Sequence, residues 1–264
     1  MKTLVPVLVL GSLVVGPRAH SQSAPTQPKP AQPAAAAGEA PPVPIDAHLA
    51  KKGEDVYKRF CVSCHGPHGD GRGYSAEWLE PRPRDFTSGV FKCRSTPTGT
   101  LPTNDDLLRT IRVGVFHAFM PPWEVLGNAN LRAVVEYLKT FSSRWKEEAP
   151  GTPIGIPAEP PDDDASRTRG KIVWGNNQCE KCHGPQGKGN GPAVPTLLDD
   201  WGFKIVPFDF TASPARKCGN TPQDLYRTFM TGVNGTPMPS YADSLKPEEA
   251  WDLVHYLQTL RQLD

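Results

Sequence analysis

The chain has 264 residues, room for two small domains of about 100–150 residues each. Its 29 Lys and Arg stand against 28 Asp and Glu, so the basic excess and clustered cations of a nucleic-acid binder are missing. The 30 prolines gather mainly outside the segments with helical patterning, and that distribution marks the block boundaries.

In chain order, Lys2 precedes an apolar stretch from Leu4 to Val15, and Ala19-His20-Ser21 offers a small-x-small cleavage site before Gln22. Residues 1–21 therefore read as an export signal, with the periplasm as destination. The stretch is short for a bilayer span, and no Cys near the site would carry a lipid. Residues 22–48, rich in Pro and Ala, lack the apolar content that offsets ordering entropy and read as a flexible tether. A first folded block is expected over 49–146 and a Pro-rich acidic linker over 147–166. A second folded block is expected over 167–264.

The two blocks repeat each other. Cys61-Val62-Ser63-Cys64-His65 recurs 118 residues later as Cys179-Glu180-Lys181-Cys182-His183. Gly66, Gly69, Gly71 and Gly73 return as Gly184, Gly187, Gly189 and Gly191. Asp85-Phe86-Thr87 returns as Asp209-Phe210-Thr211 after an insertion of six residues. The original offset then resumes: Leu107, Arg109, Thr110, Gly114 and Met120 match Leu225, Arg227, Thr228, Gly232 and Met238.

Each block reads as three helices joined by irregular chain, an all-α fold. The first helix covers roughly 53–61 and 170–179. The second starts at Thr103 and Thr221, where Thr-x-x-Asp resembles a capping box, with Pro222 at a first helical position and Gly114 and Gly232 as stops. The third is amphipathic, with Leu131, Val134, Val135 and Leu138 on one face, matched by Leu253, Val254, Leu257 and Leu260.

Two thiols three residues apart can reach the two vinyl groups of one haem, and the adjacent His meets its iron. Cys-x-x-Cys-His is thus the attachment signal for haem c, placing Cys61, Cys64, His65, Cys179, Cys182 and His183 in contact with two covalently bound haems. A zinc site would leave the two histidines without a role, and a thioredoxin-like dithiol would need a strand–helix context. Met120 and Met238 each lie 55 residues beyond the motif His, in Phe119-Met120-Pro121-Pro122 and Pro237-Met238-Pro239. The expected iron ligands are His65 with Met120 and His183 with Met238. His117 is a rival in the first block, but its counterpart is Gly235. His68 and His255 also lack repeated partners and read as structural.

These motifs resemble the class I cytochrome c domains, arranged in tandem as in dihaem proteins similar to cytochrome c4. The resemblance covers residues 53–142 and 170–261. It implies haem-enclosing helical bundles, electron transfer, and a Pro carbonyl that accepts the ring N–H of the ligating His. Pro83 and Pro207 are the candidates for that acceptor, with Pro81 and Pro195 as rivals. The Pro-Arg-Asp-Phe-Thr and Gly-Thr-Pro-Met-Pro-Ser-Tyr wording departs from the usual c4 pattern.

Cys93 and Cys218 remain. Three readings stay open for them: a disulfide clamping the blocks, which an oxidising compartment favours, two buried thiols, or thiolate ligation of iron. An iron closed on both faces by His and Met has no open position for substrate, so an electron carrier rather than an enzyme is expected. Its partners would be redox proteins, a dehydrogenase, reductase or oxidase, with association at the membrane periphery left open and nucleic acid excluded. The alternatives are a dihaem enzyme, peroxidase-like or thiosulfate-oxidising, and a cytochrome subunit of a larger oxidoreductase complex.

Overall fold

The computed structural model describes residues 41–212 and 216–260. The export signal expected at 1–21 and the tether up to residue 40 lie outside the described residues. Helix α1 (Ala47–Phe60) leads into the short α2 (Val62–His65). Next come α3 (Asn104–Val113), α4 (Gly127–Lys139) and a single turn, α5 (Arg144–Glu147). The second block repeats the plan with α6 (Asp164–Asn176), α7 (Glu180–His183), α8 (Pro222–Thr231) and α9 (Pro247–Thr259). No strand forms among the described residues, only three isolated bridges. None of their helices is long and apolar enough to cross a membrane.

The first helix of each block begins earlier than its apolar periodicity indicates, because an aspartate caps it. Asp46 Oδ1 accepts from Leu49 N at 2.9 Å, and Asp163 Oδ1 accepts from Ser166 N at 2.7 Å, which satisfies donors that the first turn leaves open. The second helices start as the Thr-x-x-Asp pattern indicates. Thr103 and Asp106 exchange both capping-box bonds at 3.1 Å, and Thr221 and Asp224 exchange theirs at 3.0 and 3.1 Å.

In each block the first helix lies across the third, α1 on α4 and α6 on α9. The crossing is so close that a Cβ on Gly53 would stand 2.0 Å from the Ala133 carbonyl oxygen, and one on Gly170 would stand 1.9 Å from that of Asp252. Only glycine lets the backbones meet there, and an alanine at either position would force the helix axes apart. Under each crossing sits a separate core. One contains Tyr57, Leu107, Leu131, Val134, Val135 and Leu138. The other contains Trp174, Leu225, Trp251, Leu253, Val254 and Leu257. Each such side chain, once fully buried, contributes about 1.5–3 kcal/mol, so these faces rather than intrinsic propensity hold the helices in place.

The blocks are joined along a seam. Cys93 and Cys218 form a disulfide with Cα atoms 5.1 Å apart, which decides among the three readings that the sequence leaves open. The six-residue insertion builds a turn in which Asp199 Oδ1 accepts from Trp201 N at 3.0 Å and Phe203 N at 2.9 Å. That turn brings Trp201 beneath the Arg84 guanidinium at 4.3 Å and Phe203 beneath Arg82 at 5.4 Å. Arg94, almost fully buried, donates to the carbonyls of Thr231 and Gly232 at the end of α8, where a cation suits the negative end of the helix dipole. Residues 149–163 form no helix and touch both blocks. Ile154 N donates to Ser95 O at 2.8 Å, while the Ile154 and Ile156 side chains pack on the second core.

Candidate functional site

The Cys-x-x-Cys-His segments share one pattern of backbone hydrogen bonds. His65 N donates to Cys61 O and His183 N to Cys179 O, both at 2.9 Å. The glycine-rich run then folds back over the helix: Gly71 N reaches His65 O at 3.0 Å, and Gly189 N reaches His183 O at 2.8 Å. Phe86 N bonds Gly69 O in the first block and Phe210 N bonds Gly187 O in the second. These bonds carry Phe86 onto the His65 ring, 4.4 Å between centroids, and Phe210 against that of His183 at 5.1 Å. The repeated Asp85 and Asp209 close the turns by accepting from Thr87 and Thr211.

Both imidazoles are fixed through the same ring nitrogen. His65 Nδ1–H donates to the Arg84 carbonyl at 3.0 Å, and His183 Nδ1–H donates to the Phe208 carbonyl at 3.1 Å. The proline expectation is therefore corrected by one residue: Pro83 and Pro207 precede the acceptors. Their own carbonyls face Gly71 and Gly189 instead, close enough that a Cβ there would stand within 2.7 and 2.5 Å. With Nδ1 protonated and bonded, Nε2 carries the free lone pair of each ring. Burial pushes His65 down to about 4, against the Arg84 carbonyl bond, and moves His183 in the same direction. Both rings are held neutral, as iron ligation requires.

One cavity of the first block is lined by Cys61, Cys64, His65 and Met120 together with apolar Phe86, Leu107, Ile111, Val134 and Leu138. His117 does not line it. That ring points across the seam and meets Phe208 edge-on at 5.9 Å. In the second block Cys179 and Met238 both pack on the second core. The methionine loops share a backbone plan, with Val115 N donating to Met120 O at 2.9 Å and Val233 N to Met238 O at 3.1 Å. Burial pushes the Cys61 thiol up to about 12 and that of Cys179 up to about 11. They are neutral thiols, unlike the low-pKa pair of a dithiol oxidoreductase.

His68 and His255 do not line the first cavity. His68 is exposed. His255 is fully buried, with Nδ1 against Ser166 Oγ and Nε2 3.6 Å from Glu159. Three residues that organise the sites carry no signal in the repeat. Arg84 and Phe208 act through backbone carbonyls, which any residue type can supply, and Trp201 stands in an insertion with no counterpart. Arg84 and Phe208 are equivalent positions, and each also touches the opposite block near its methionine loop. The Phe208 ring meets His117, and a Cβ on Gly235 would lie 3.0 Å from Arg84 Nη1.

The donor set fits a covalently held haem in each block. There are paired thiols in the Cys-x-x-Cys spacing, an imidazole with its ligating nitrogen free, and a thioether on the wall of the same apolar cavity in the first block. Comparison with known proteins agrees. Residues 168–261 match the family described as cytochrome c, and residues 48–138 match that described as cytochrome c oxidase, cbb3-type, subunit III. The chain is similar to a chain of the Kuenenia stuttgartiensis reducing HAO-like protein complex Kustc0457/Kustc0458, with 40% identity and a TM-score of 0.80. That alignment covers 83% of this chain and 100% of the other. No curated protein matches. With a cytochrome c match in each half and this identity across a whole relative, the chain belongs to the dihaem class I cytochromes c and carries two covalently bound haem c groups.

Proposed function

We propose that this protein is a periplasmic relay of single electrons, with one iron held between His65 and Met120 and the other between His183 and Met238. The observation that carries the reading is the shared wall of the first cavity. It brings Cys61, Cys64, His65 and Met120 around one apolar space, while the Arg84 carbonyl fixes the imidazole tautomer. Each haem supplies an iron that cycles between the ferrous and ferric states, at a potential that Met ligation raises. The chain's own part is to keep that change small in structural terms. With the haems bound, the Arg84 and Phe208 carbonyls would keep the imidazoles from turning, the apolar walls would exclude water, and the Met120 and Met238 thioethers would take the position that a substrate needs. The Cys93–Cys218 bond and the Arg84–Trp201 stack hold the two blocks together for exchange between them.

A subunit role within a larger redox assembly is favoured over a freely diffusing shuttle by one finding. The relative that is 40% identical over its whole length belongs to a protein complex. Redox proteins are the expected partners under either description, and export through residues 1–21 would deliver the chain to them.

A redox titration with spectra at each step tests the relay. Both ferric haems should show the Met-to-iron charge-transfer band, and the reduced protein should not bind carbon monoxide at neutral pH. Carbon monoxide binding by the unaltered protein would sink the proposal in favour of an enzyme with an open iron. Met120→Ala should open the first iron, adding one equivalent of carbon monoxide binding and abolishing half of the band. Gentle purification from the source cell, with a stoichiometric partner or without one, separates the subunit from the shuttle.

A further inference from the structure

The wall of the first haem cavity contains a feature that iron ligation does not use. Lys92 and Lys217 both line that cavity beside Cys93, although Lys217 belongs to the second block. Each lysine immediately precedes one cysteine of the interblock disulfide, so the bond holds residues 92 and 217 at the one cavity that both line. Arg84 adds a third cation nearby. Among the described residues no hydrogen bond or ion pair reaches either lysine Nζ; only the more distant Asp199 offsets some of the positive charge on Lys92. Burial, with Arg84 and Lys217 adding to it, pushes Lys92 down to about 7, and burial and Arg84 lower Lys217 as well. Cations gathered in a low-dielectric place repel one another strongly, and a fold tolerates them where an anion completes the set.

We propose that Lys92 and Lys217 form a carboxylate-binding site on the wall of the first haem cavity, and that they pair there with the propionate groups of the haem held by Cys61, Cys64 and His65. The haem is itself the anion that the cavity admits, because its macrocycle is apolar and its two propionates are the only charges on its edge. The site is completed only when the second block is docked, since one of its two lysines comes from there. The first haem's potential is therefore set partly by the other block. A cation beside the propionates disfavours the additional positive charge of ferric iron, so it raises the potential.

The inference rests on the assignment of the first haem to Cys61, Cys64 and His65, so its test separates the two. In the mature holoprotein, Lys92→Gln and Lys217→Gln are made singly and together, with the haem content per chain confirmed at two by pyridine haemochrome spectra. The first haem's redox wave is the one that Met120→His displaces. In the double glutamine variant this wave should fall by on the order of tenfold in the reduction equilibrium, about 59 mV for a one-electron couple. Lys92→Arg and Lys217→Arg should leave it in place, because they retain the charge. A double variant with both waves unmoved overturns the proposal, as does a fall confined to the second haem or an equal fall in the arginine variants. If Met120→His displaces neither wave, the axial-ligand reading fails instead. The lysine site is then judged on whether any wave falls in the double glutamine variant and is kept by arginine.

Discussion

The two methionine loops have the same length and the same closing hydrogen bond, yet their backbones take different routes between its ends. In the second block the loop reads Val233-Asn234-Gly235-Thr236-Pro237-Met238, and its left-handed residue is Gly235 at φ 79°, where a missing Cβ makes the conformation cheap. In the first block it reads Val115-Phe116-His117-Ala118-Phe119-Met120, and both His117 and Phe119 are left-handed, at φ 59° and 53°. Each such residue costs on the order of 1–3 kcal/mol and persists only where its surroundings hold it. The seam accounts for this difference at His117. Gly235 has to be small because Trp201 and Arg84 press on it, whereas the His117 side chain extends across to Phe208. Duplicated blocks thus keep the haem-facing geometry and diverge where they meet one another. The residues that orient His65 and His183 are also the ones braced from the other side.

Cutting the seam is the most forceful way to test that comparison. Cys93 and Cys218 are 125 residues apart, and closing a loop of this order restricts the unfolded chain by roughly 5 kcal/mol in the entropy account of disulfides. The Arg94 cap and the Arg84–Trp201 stack remain without the bond, so the loss expected for Cys93→Ser with Cys218→Ser is about 2–4 kcal/mol. Guanidinium unfolding followed by absorbance of the haems measures it. If the blocks brace each other, the unaltered protein should unfold in one transition and the double variant in two; one transition at the same midpoint in both would show that the bond contributes nothing.

A milder intervention compares the loops directly. Gly235→Ala places a Cβ within 2.6 Å of the Trp201 ring and 3.0 Å of Arg84 Nη1, at a positive φ, and should destabilise the second block by about 1–3 kcal/mol. His117→Gly removes strain of about the same order while losing the ring contact with Phe208, so its net effect on stability should be nearer zero. The expected ranking, read from thermal midpoints, is Gly235→Ala well below the unaltered protein and His117→Gly close to it. A reversed ranking would mean that the first loop depends more on its bracing than the second.

How far the sequence carries one to this picture depends on the kind of interaction. The repeated Cys-x-x-Cys-His, the Thr103 and Thr221 caps and the apolar faces of α4 and α9 are side-chain properties with fixed spacing, so the order of residues alone reveals them. The acceptors of the two histidines are backbone carbonyls, and nothing in the letters at 84 and 208 distinguishes them from the prolines one step earlier. Prolines and charges that pattern as linker obscure the early starts of α1 and α6, although Asp46 and Asp163 are ordinary caps. Pairing of Cys93 with Cys218 is only one of three readings at the level of residue order, because it depends on how the blocks face each other. That arrangement follows from Trp201 and Arg94, neither of which has a counterpart in the other copy of the repeat.

The smallest expected effect concerns acid, and it distinguishes the blocks through their equivalent aspartates. Burial opposes the charged form of Asp106, but bonds from the Ser95 and Thr103 amides and the Arg109 guanidinium outweigh it, holding the carboxyl below its usual range. Asp224 is likewise opposed by burial and held down by Thr221 and Arg227. A carboxyl lowered in the folded state contributes stability that is complete above its unfolded value and is lost as pH falls through the depressed folded value. Both blocks should therefore weaken on acidification below the ordinary aspartate range, with no matching loss on the alkaline side from these groups. Asp106 has the additional bonds to the Ser95 amide and hydroxyl, both at 2.9 Å, and those tie α3 to the chain that leads from the seam. Asp106→Asn and Asp224→Asn should each cost about 1 kcal/mol at neutral pH, the usual scale of a lost cap, with Asp106→Asn the larger. Each should also flatten the acid limb of the stability profile. An acid limb unchanged in both variants would assign the acid sensitivity to other carboxylates, the Arg169-paired Asp252 among them.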